Sequence, residues 1–555
     1  MAEEAGIEEA HERATHQKAH QLSSLDAQFL AIEDARNFAH VSGLVTLDPS
    51  TAPNGAITLA DALSLVEQRL HMLPPFRWKL QEVPFNIDIP YWVDDPDFDL
   101  EFHVRELALP APGNDAQLSA QVERIVARPL DRARPLWEMY LIQGLSGGRV
   151  ALLTKIHHAV VDGVSGAEIL GTLFDLDPEG SELPPVPEGD ERDRSKGELE
   201  LFARGVLNVP ARALNSVREI PKILPRLDDV PQLRGTPGFA LLGQIADRAH
   251  IAETRGRDGH VLERPTARAP RSILNGQISA QRRFSFGSLS LDAVKKIKNV
   301  YGTTVNDVIV SVSTAALRDF LLERDELPDE PLVAMIPLSI RTEDQSGAFG
   351  NRVSAMIVPI PTNEPDPVER LRICHGELSR AKDYYGAVDA ELLTDALNFI
   401  PPALYARTAR STTALAASSN FQPHYNVTIS NIPGPPVPLY VSGATVEGHY
   451  PVSVVTDGML VNITVFSYRG KLDFGVIGDR ELAHSYDSMI ESLRSDLGAL
   501  ERWADAEQVA MEAESKATTR AKPGARSKSK SGAKSKAKAG AKSKAKAGTR
   551  AKAGG

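Results

Sequence analysis

Apolar residues recur along this chain at two spacings, and the spacing switches many times. Short β-prone runs stand at 41–47, 135–142 and 150–153, then at 282–286, 332–336, 353–358, 426–431, 460–468 and 471–477. Between them, apolar positions return every three or four residues over 59–70, 118–127, 291–300, 305–322, 370–382 and 485–503, which predicts helices. Residues 22–34 read as an entry helix. Thr304 is placed to cap the helix that follows it, with Asp307 at the third position. Leu73-Pro74-Pro75 breaks the helix before it, Ser146-Gly147-Gly148 is turn chemistry, and Ile432 to Pro436 forms a stiff turn. Strands and helices alternate in both halves, so the pattern predicts an α/β (α+β) fold of two similar units with a site between them.

A third pattern lies between the halves. Residues 178–198 have the Pro, Glu, Asp and Gly content of a linker. Phe202, Val206, Val209, Ala213, Val217, Ile220 and Leu224 then recur at helical spacing, with arginines and lysines mostly off that stripe. Such a basic amphipathic helix suits an anionic bilayer surface, or packing on its own protein; Pro210 and Pro221 break it.

Composition narrows the choices. With 555 residues, 42% hydrophobic and 24% charged, the chain is long enough for two domains with full cores. Its one cysteine, Cys374, cannot form an internal disulfide, which suits a reducing cytosol, and its helical setting reads as a buried spectator. No apolar run has the length of a membrane span, and residues 1–21 carry no signal-peptide core. The net charge of −11 conceals an asymmetry: fourteen Lys and Arg and no acid follow residue 515, leaving −25 on the rest. From about Glu507 the chain is Ala, Lys, Ser and Gly without aromatics, a composition that predicts disorder. It reads either as an electrostatic tether for nucleic acid or anionic lipid, or as a solubilising tail.

The chemistry concentrates in Lys155-Ile156-His157-His158-Ala159-Val160-Val161-Asp162-Gly163. This HHxxxDG pattern falls where the strand from Val150 gives way to a helical pattern through Ile169, Leu170, Leu173 and Phe174. Adjacent residues at a strand end point to opposite sides, so one imidazole faces a cavity and the other packs. A neutral imidazole can take a proton near neutral pH. Asp162 can form a salt bridge that locks the loop, and Gly163 permits a tight turn. The histidines lack metal-ligand spacing, so no metal is expected. Asn306-Asp307, in a first helical turn, reads as supporting structure. Trp137 reads as a core plug, and His103 as a packing or surface residue.

The motif resembles the acceptor-activating motif of CoA-dependent acyltransferases, and more of the chain is similar to the bacterial wax ester synthase/diacylglycerol acyltransferase family, including actinobacterial triacylglycerol synthases. The residues that carry this are Leu22 to Leu30, Arg134-Pro135-Leu136-Trp137, Val305-Asn306-Asp307-Val308, Pro337 to Arg341 and Ser430 to Pro435, in order across roughly 21–505. Where the wider superfamily has DFGWG, this chain has Asp473-Phe474-Gly475-Val476-Ile477-Gly478, so no role is carried over from that stretch.

The resemblance implies two chloramphenicol-acetyltransferase-like subdomains with mixed sheets and a channel at their junction. The expected layout is a disordered 1–20, a first subdomain at 21–180, a helical linker at 181–270, a second subdomain at 271–505 and a tail at 506–555. It implies His158 as general base, with His157, Asn306 and Asp307 in support and Arg341 as salt-bridge partner of Asp162. It also implies acyl-CoA as co-substrate, no bound cofactor, and diacylglycerol or a fatty alcohol as acceptor. The place of action would be the cytoplasmic side, peripherally on the inner membrane or lipid inclusions. Two rivals stay open: a condensation-type enzyme using carrier-bound donors, and a non-catalytic protein binding lipid or nucleic-acid surfaces through its tail.

Overall fold

Reciprocal caps start four of the longer helices, and strands fill most of the space between. The computed structural model describes residues 20–160, 169, 171–186, 260–262, 268–339, 353–387, 417–418 and 422–520. Asp162, Gly163, Arg341, the amphipathic segment at 202–226 and the lysine-rich stretch after 520 lie outside the described residues. The first half runs β1 (His20–Gln21), α1 (Ser24–Ile32), β2 (His40–Asp48), α2 (Leu59–Arg69), β3 (Trp78–Gln81), β4 (Tyr91–Asp94), α3 (Leu100–His103), β5 (Val104–Ala108), α4 (Asp115–Val126), β6 (Trp137–Gln143) and β7 (Val150–His157). The second half runs β8 (Arg282–Ser290), α5 (Leu291–Tyr301), α6 (Val305–Leu322), β9 (Leu332–Ser339), β10 (Val353–Ile360), α7 (Pro367–Ala387), β11 (Val427–Pro433), β12 (Tyr440–Val441), β13 (Ala444–Val452), β14 (Val461–Tyr468), β15 (Lys471–Asp479) and α8 (Asp487–Arg520). The capping boxes are Ser23/Asp26, Thr58/Asp61, Asn114/Gln117 and Thr304/Asp307. Each pairs a cap side chain with the third backbone N–H and returns the favour to the cap's own N–H.

The fold is mixed α/β. One six-stranded sheet has the order β12-β13-β2-β7-β6-β5, and the other β10-β9-β11-β14-β15-β8; β1, β4 and β3 make a small third sheet. Both large sheets mix directions: β5–β6, β9–β11 and β11–β14 are parallel, and the remaining pairs are antiparallel. β7 runs between β2 and β6, which is why all eight of its residues are buried.

One expectation needs correction. A boundary between units at 21–180 and 271–505 assigns residues 440–452 to the second unit, yet β12 and β13 belong to the first half's sheet. β13 pairs antiparallel with β2, from Thr445 opposite Asp48 to Val452 opposite Ser42, with an irregularity between Val446 and Gly448. The segment escapes pattern reading because Gly448 and Pro451 are poor strand formers; the waiting edge of β2 overrides propensity. Each half keeps its own apolar cluster, and a third cluster joins them, packing Leu44 and Leu153 with Phe284, Leu460 and Ile477.

The segment Asp473-Phe474-Gly475 fastens this crossover. The Asp473 carboxylate accepts from His449 N–H at 2.8 Å and Ser288 Oγ at 2.6 Å. Burial pushes its pKa up to about 6, against those hydrogen bonds. A Cβ on Gly475 would lie 1.8 Å from the Pro451 carbonyl oxygen, so only glycine lets β13 come this close.

The closing helix also differs from expectation. It runs past Trp503 to Arg520, because residues 504–515 are mostly Ala, Glu, Gln and Met, strong helix formers. Lys296 contacts Glu501 at 3.4 Å and Asp505 at 2.5 Å. Among the described residues, no helix is long and apolar enough to cross a membrane.

A Gly475→Ala substitution should force β13 off its seat and cost about 3 kcal/mol. Urea unfolding followed by near-UV circular dichroism measures this directly; an unchanged midpoint would contradict the close approach.

Candidate active site

β7 carries two different faces into the motif. Strand alternation and the register opposite β2 put Lys155 and His157 on one face with Ser42 and His40, and Thr154 and Ile156 on the other with Gly43 and Val41. His158 follows at the strand's end, its N–H donating to Ala39 O at 2.7 Å.

The His157 face is a buried polar row with its partners in place. Lys155 is fully buried, and its Nζ donates to Arg128 O at 2.6 Å and Ile125 O at 3.2 Å, beside the end of α4. His40 Nε2 lies 2.8 Å from Val126 O. A cation and an imidazole therefore donate to carbonyls at and just beyond the helix's C-terminal end, where the helix dipole favours positive charge. Lys155 also lies 3.5 Å from Glu138 Oε2. Burial draws the ammonium's pKa down to about 8, with Glu138 opposing, so it stays charged at neutral pH. Burial first, and the Lys155 charge second, hold His40 well below the usual imidazole range.

His157 is 1% exposed. Its Nδ1 accepts from Ala159 N–H at 3.0 Å, so its proton sits on Nε2. That Nε2 faces Glu33 Oε1 at 3.2 Å, off the line of an aligned hydrogen bond. Glu33 also accepts from Ala39 N–H at 2.9 Å and Arg132 Nη2 at 2.8 Å. Burial alone would raise the Glu33 carboxyl, but His157, Ala39 and Arg132 together bring it down to about 2.

His158 differs from its neighbour. It is half-buried, and its ring stacks on Phe29 of α1, with centroids 4.1 Å apart and planes 15° apart. The Leu22–Leu30 stretch thus supplies one wall of the His158 site. After His158 the described chain continues only to Val160, so the partner expected for Asp162 lies outside it. A narrow crevice opens between the halves on the His157 face, lined by Phe38, His40, Ser42, Arg282 and residues 452–455. His158 is not among its lining residues.

The remaining expected residues fall elsewhere. Asp307 is 1% exposed in the Thr304 capping box, and His375 Nδ1 approaches its Oδ2 at 2.7 Å. Asn306 is half-buried beside it. Trp137 is a core plug, its Nε1–H donating to Phe76 O at 2.8 Å and its ring stacked on Phe76 and His103. His103 packs rather than facing solvent, with Nδ1 2.7 Å from Trp137 O. Cys374 is buried, which pushes its thiol up to about 12 and removes it as a nucleophile. Among the described residues, no group of three or more His, Cys, Asp or Glu is arranged to hold a metal.

Residues 22–309 match the wax ester synthase/diacylglycerol acyltransferase catalytic domain, and residues 349–501 match the C-terminal domain of the same family. The chain belongs to that family. It is 33% identical over 465 residues to a putative diacylglycerol O-acyltransferase of Mycobacterium tuberculosis, covering 83% of this chain and 86% of that protein. It is 32% identical over 481 residues to the probable diacylglycerol O-acyltransferase tgs2 of the same species, covering 86% and 98%. Among solved structures it is similar to the wax ester synthase/diacylglycerol acyltransferase of Marinobacter aquaeolei, with 30% identity and a TM-score of 0.61 over 87% of this chain and 99% of that one. Membership makes the chain an acyltransferase of the class that forms triacylglycerols and wax esters.

Sequence reasoning missed Glu33, Arg132, Lys155 and His40. Only Lys155 left a signal, a charged residue inside an otherwise apolar strand. The others come from loops and strand ends that only the fold brings together.

Two measurements test this network. Lys155→Met should destabilise by about 3 kcal/mol, because it takes the buried cation from the Arg128 and Ile125 carbonyls and leaves Glu138 to Tyr140 and Arg105, and adding Glu138→Gln should recover part of the loss in urea titrations. Glu33 has a lowered folded-state pKa, so its stabilisation is full above pH 4.5 and fades as pH falls toward 2, worth about 3 kcal/mol in all. Wild type should lose that increment over this window in acid-titrated unfolding, and Glu33→Gln should not.

Proposed function

We propose that this protein transfers a long-chain acyl group from acyl-CoA to the hydroxyl of diacylglycerol, and secondarily of a long-chain alcohol, with His158 as general base. One observation carries the choice of base. Of two adjacent imidazoles, His157 is sealed, its Nδ1 bonded to Ala159 N–H and its Nε2 turned toward Glu33, while His158 is half-buried at the strand's end. His158 takes the proton of the acceptor hydroxyl as its oxygen attacks the thioester carbonyl. The tetrahedral oxyanion then collapses, the C–S bond breaks, and the imidazolium returns its proton to the departing thiolate. The products are an ester and free CoA, with no covalent enzyme intermediate. His157 keeps its proton toward Glu33 and takes no part in transfer.

Substrates this apolar place the reaction at a lipid surface. The basic chain end, fourteen cations without an acid, suits the anionic face of a membrane or lipid inclusion and needs no spanning helix.

The test is a His158→Ala variant given labelled acyl-CoA with diacylglycerol or a long-chain alcohol, lipid products being separated and counted. Ester formation should fall at least about a hundredfold while the unfolding transition stays within that of wild type. A folded variant that kept full activity would remove His158 from this role.

A further inference from the structure

The peptide bonds on both sides of His158 are tied to one carboxylate oxygen. Glu33 Oε1 accepts from Ala39 N–H at 2.9 Å, and the Ala39 carbonyl in turn accepts from His158 N–H at 2.7 Å. The same Oε1 faces His157 Nε2 at 3.2 Å, and His157 Nδ1 accepts from Ala159 N–H at 3.0 Å. One route thus reaches the amide before His158 and the other the amide after it. Glu33 follows α1 directly, and Phe29, one turn earlier on that helix, stacks on the His158 ring. The same short segment therefore contacts the ring and fixes the backbone that bears it. Arg132 holds the second oxygen, Oε2, at 2.8 Å and also donates to Leu30 O at 2.7 Å, so the carboxylate cannot rotate away.

The His157 route depends on a tautomer. Nδ1 can accept from Ala159 only while the proton is on Nε2, and an anionic oxygen beside Nε2 favours that form. A neutral amide at position 33 would place an N–H₂ near the same nitrogen and favour the opposite tautomer, breaking the Ala159 bond.

We propose that Glu33 is a positioning residue for acyl transfer, holding His158 in register through Ala39 on one side and through the His157 tautomer on the other. Its carboxylate never meets substrate. The inference rests on His158 being the general base, and the experiment separates the two.

The experiment compares full-length wild type, Glu33→Gln, Glu33→Asp, His158→Ala and the double variant Glu33→Gln/His158→Ala, using acyl-CoA and diacylglycerol. Glu33→Gln should lower kcat by about a hundredfold with KM for both substrates within about twofold, since geometry and not binding is lost. Glu33→Asp, which keeps the charge but withdraws it by one methylene, should fold and lose about tenfold. In the His158→Ala background, Glu33→Gln should cost nothing more, because its effect passes through the missing ring. Nitrogen-15 shifts of His157 should report the Nε2–H form in wild type and its loss in Glu33→Gln.

Wild-type kcat in Glu33→Asp, a KM rise matching the kcat fall, or a further loss in the double variant would each overturn the proposal. An inactive His158→Ala with a fully active Glu33→Gln would remove Glu33 alone. A fully active His158→Ala would remove the general base, and this inference with it.

Discussion

Two ions are kept charged out of water beneath the motif, the Glu33 carboxylate and the Lys155 ammonium, and the end of β7 is arranged around them. Removing such groups from water costs several kcal/mol each unless partners replace the lost hydration. Here the partners are structural: carbonyls beside the end of α4, the Glu138 carboxylate, the Ala39 amide, and Arg132. The strand end is held by many directional contacts instead of by apolar packing alone. Directional contacts fix orientation, which apolar packing does only loosely, and orientation is what a proton-transferring imidazole requires.

The second constraint is the crossover of β13. Its pairing with β2 makes the first sheet depend on residues far along the chain, and the apolar layer between the sheets then binds the halves together. Gly475 and Asp473 show how closely the two are fitted, one by having no side chain and the other by a buried carboxylate that caps the strand's amide. The departure from DFGWG after Gly475 leaves both of these features in place.

Much of the fold was legible because its elements follow period and capping rules locally. The helix at 305–322 with its Thr304 cap appears within the expected bounds, and the strands expected at 150–153 and 471–477 begin where expected but run on to His157 and Asp479. What escaped was nonlocal. β13 contains residues that disfavour strands and is held by an edge made some 400 positions earlier. The support of the motif was hidden for the same reason: Glu33 looks like an ordinary helix-end acid until Ala39, Arg132 and His157 gather round it. Alternation suggests that the two histidines differ; packing seals His157 and leaves His158 half-buried, while the crevice opens on the His157 face.

The crossover also sets an order of events at birth. While the chain is being synthesised, the outer edge of β2 has no partner until residue 452 has left the ribosome, roughly 400 residues later. At 5–20 residues per second that is on the order of a minute or less with an unprotected strand edge. Such an edge invites pairing with other chains. The first half is thus committed early but finished late, a delay that follows from topology alone.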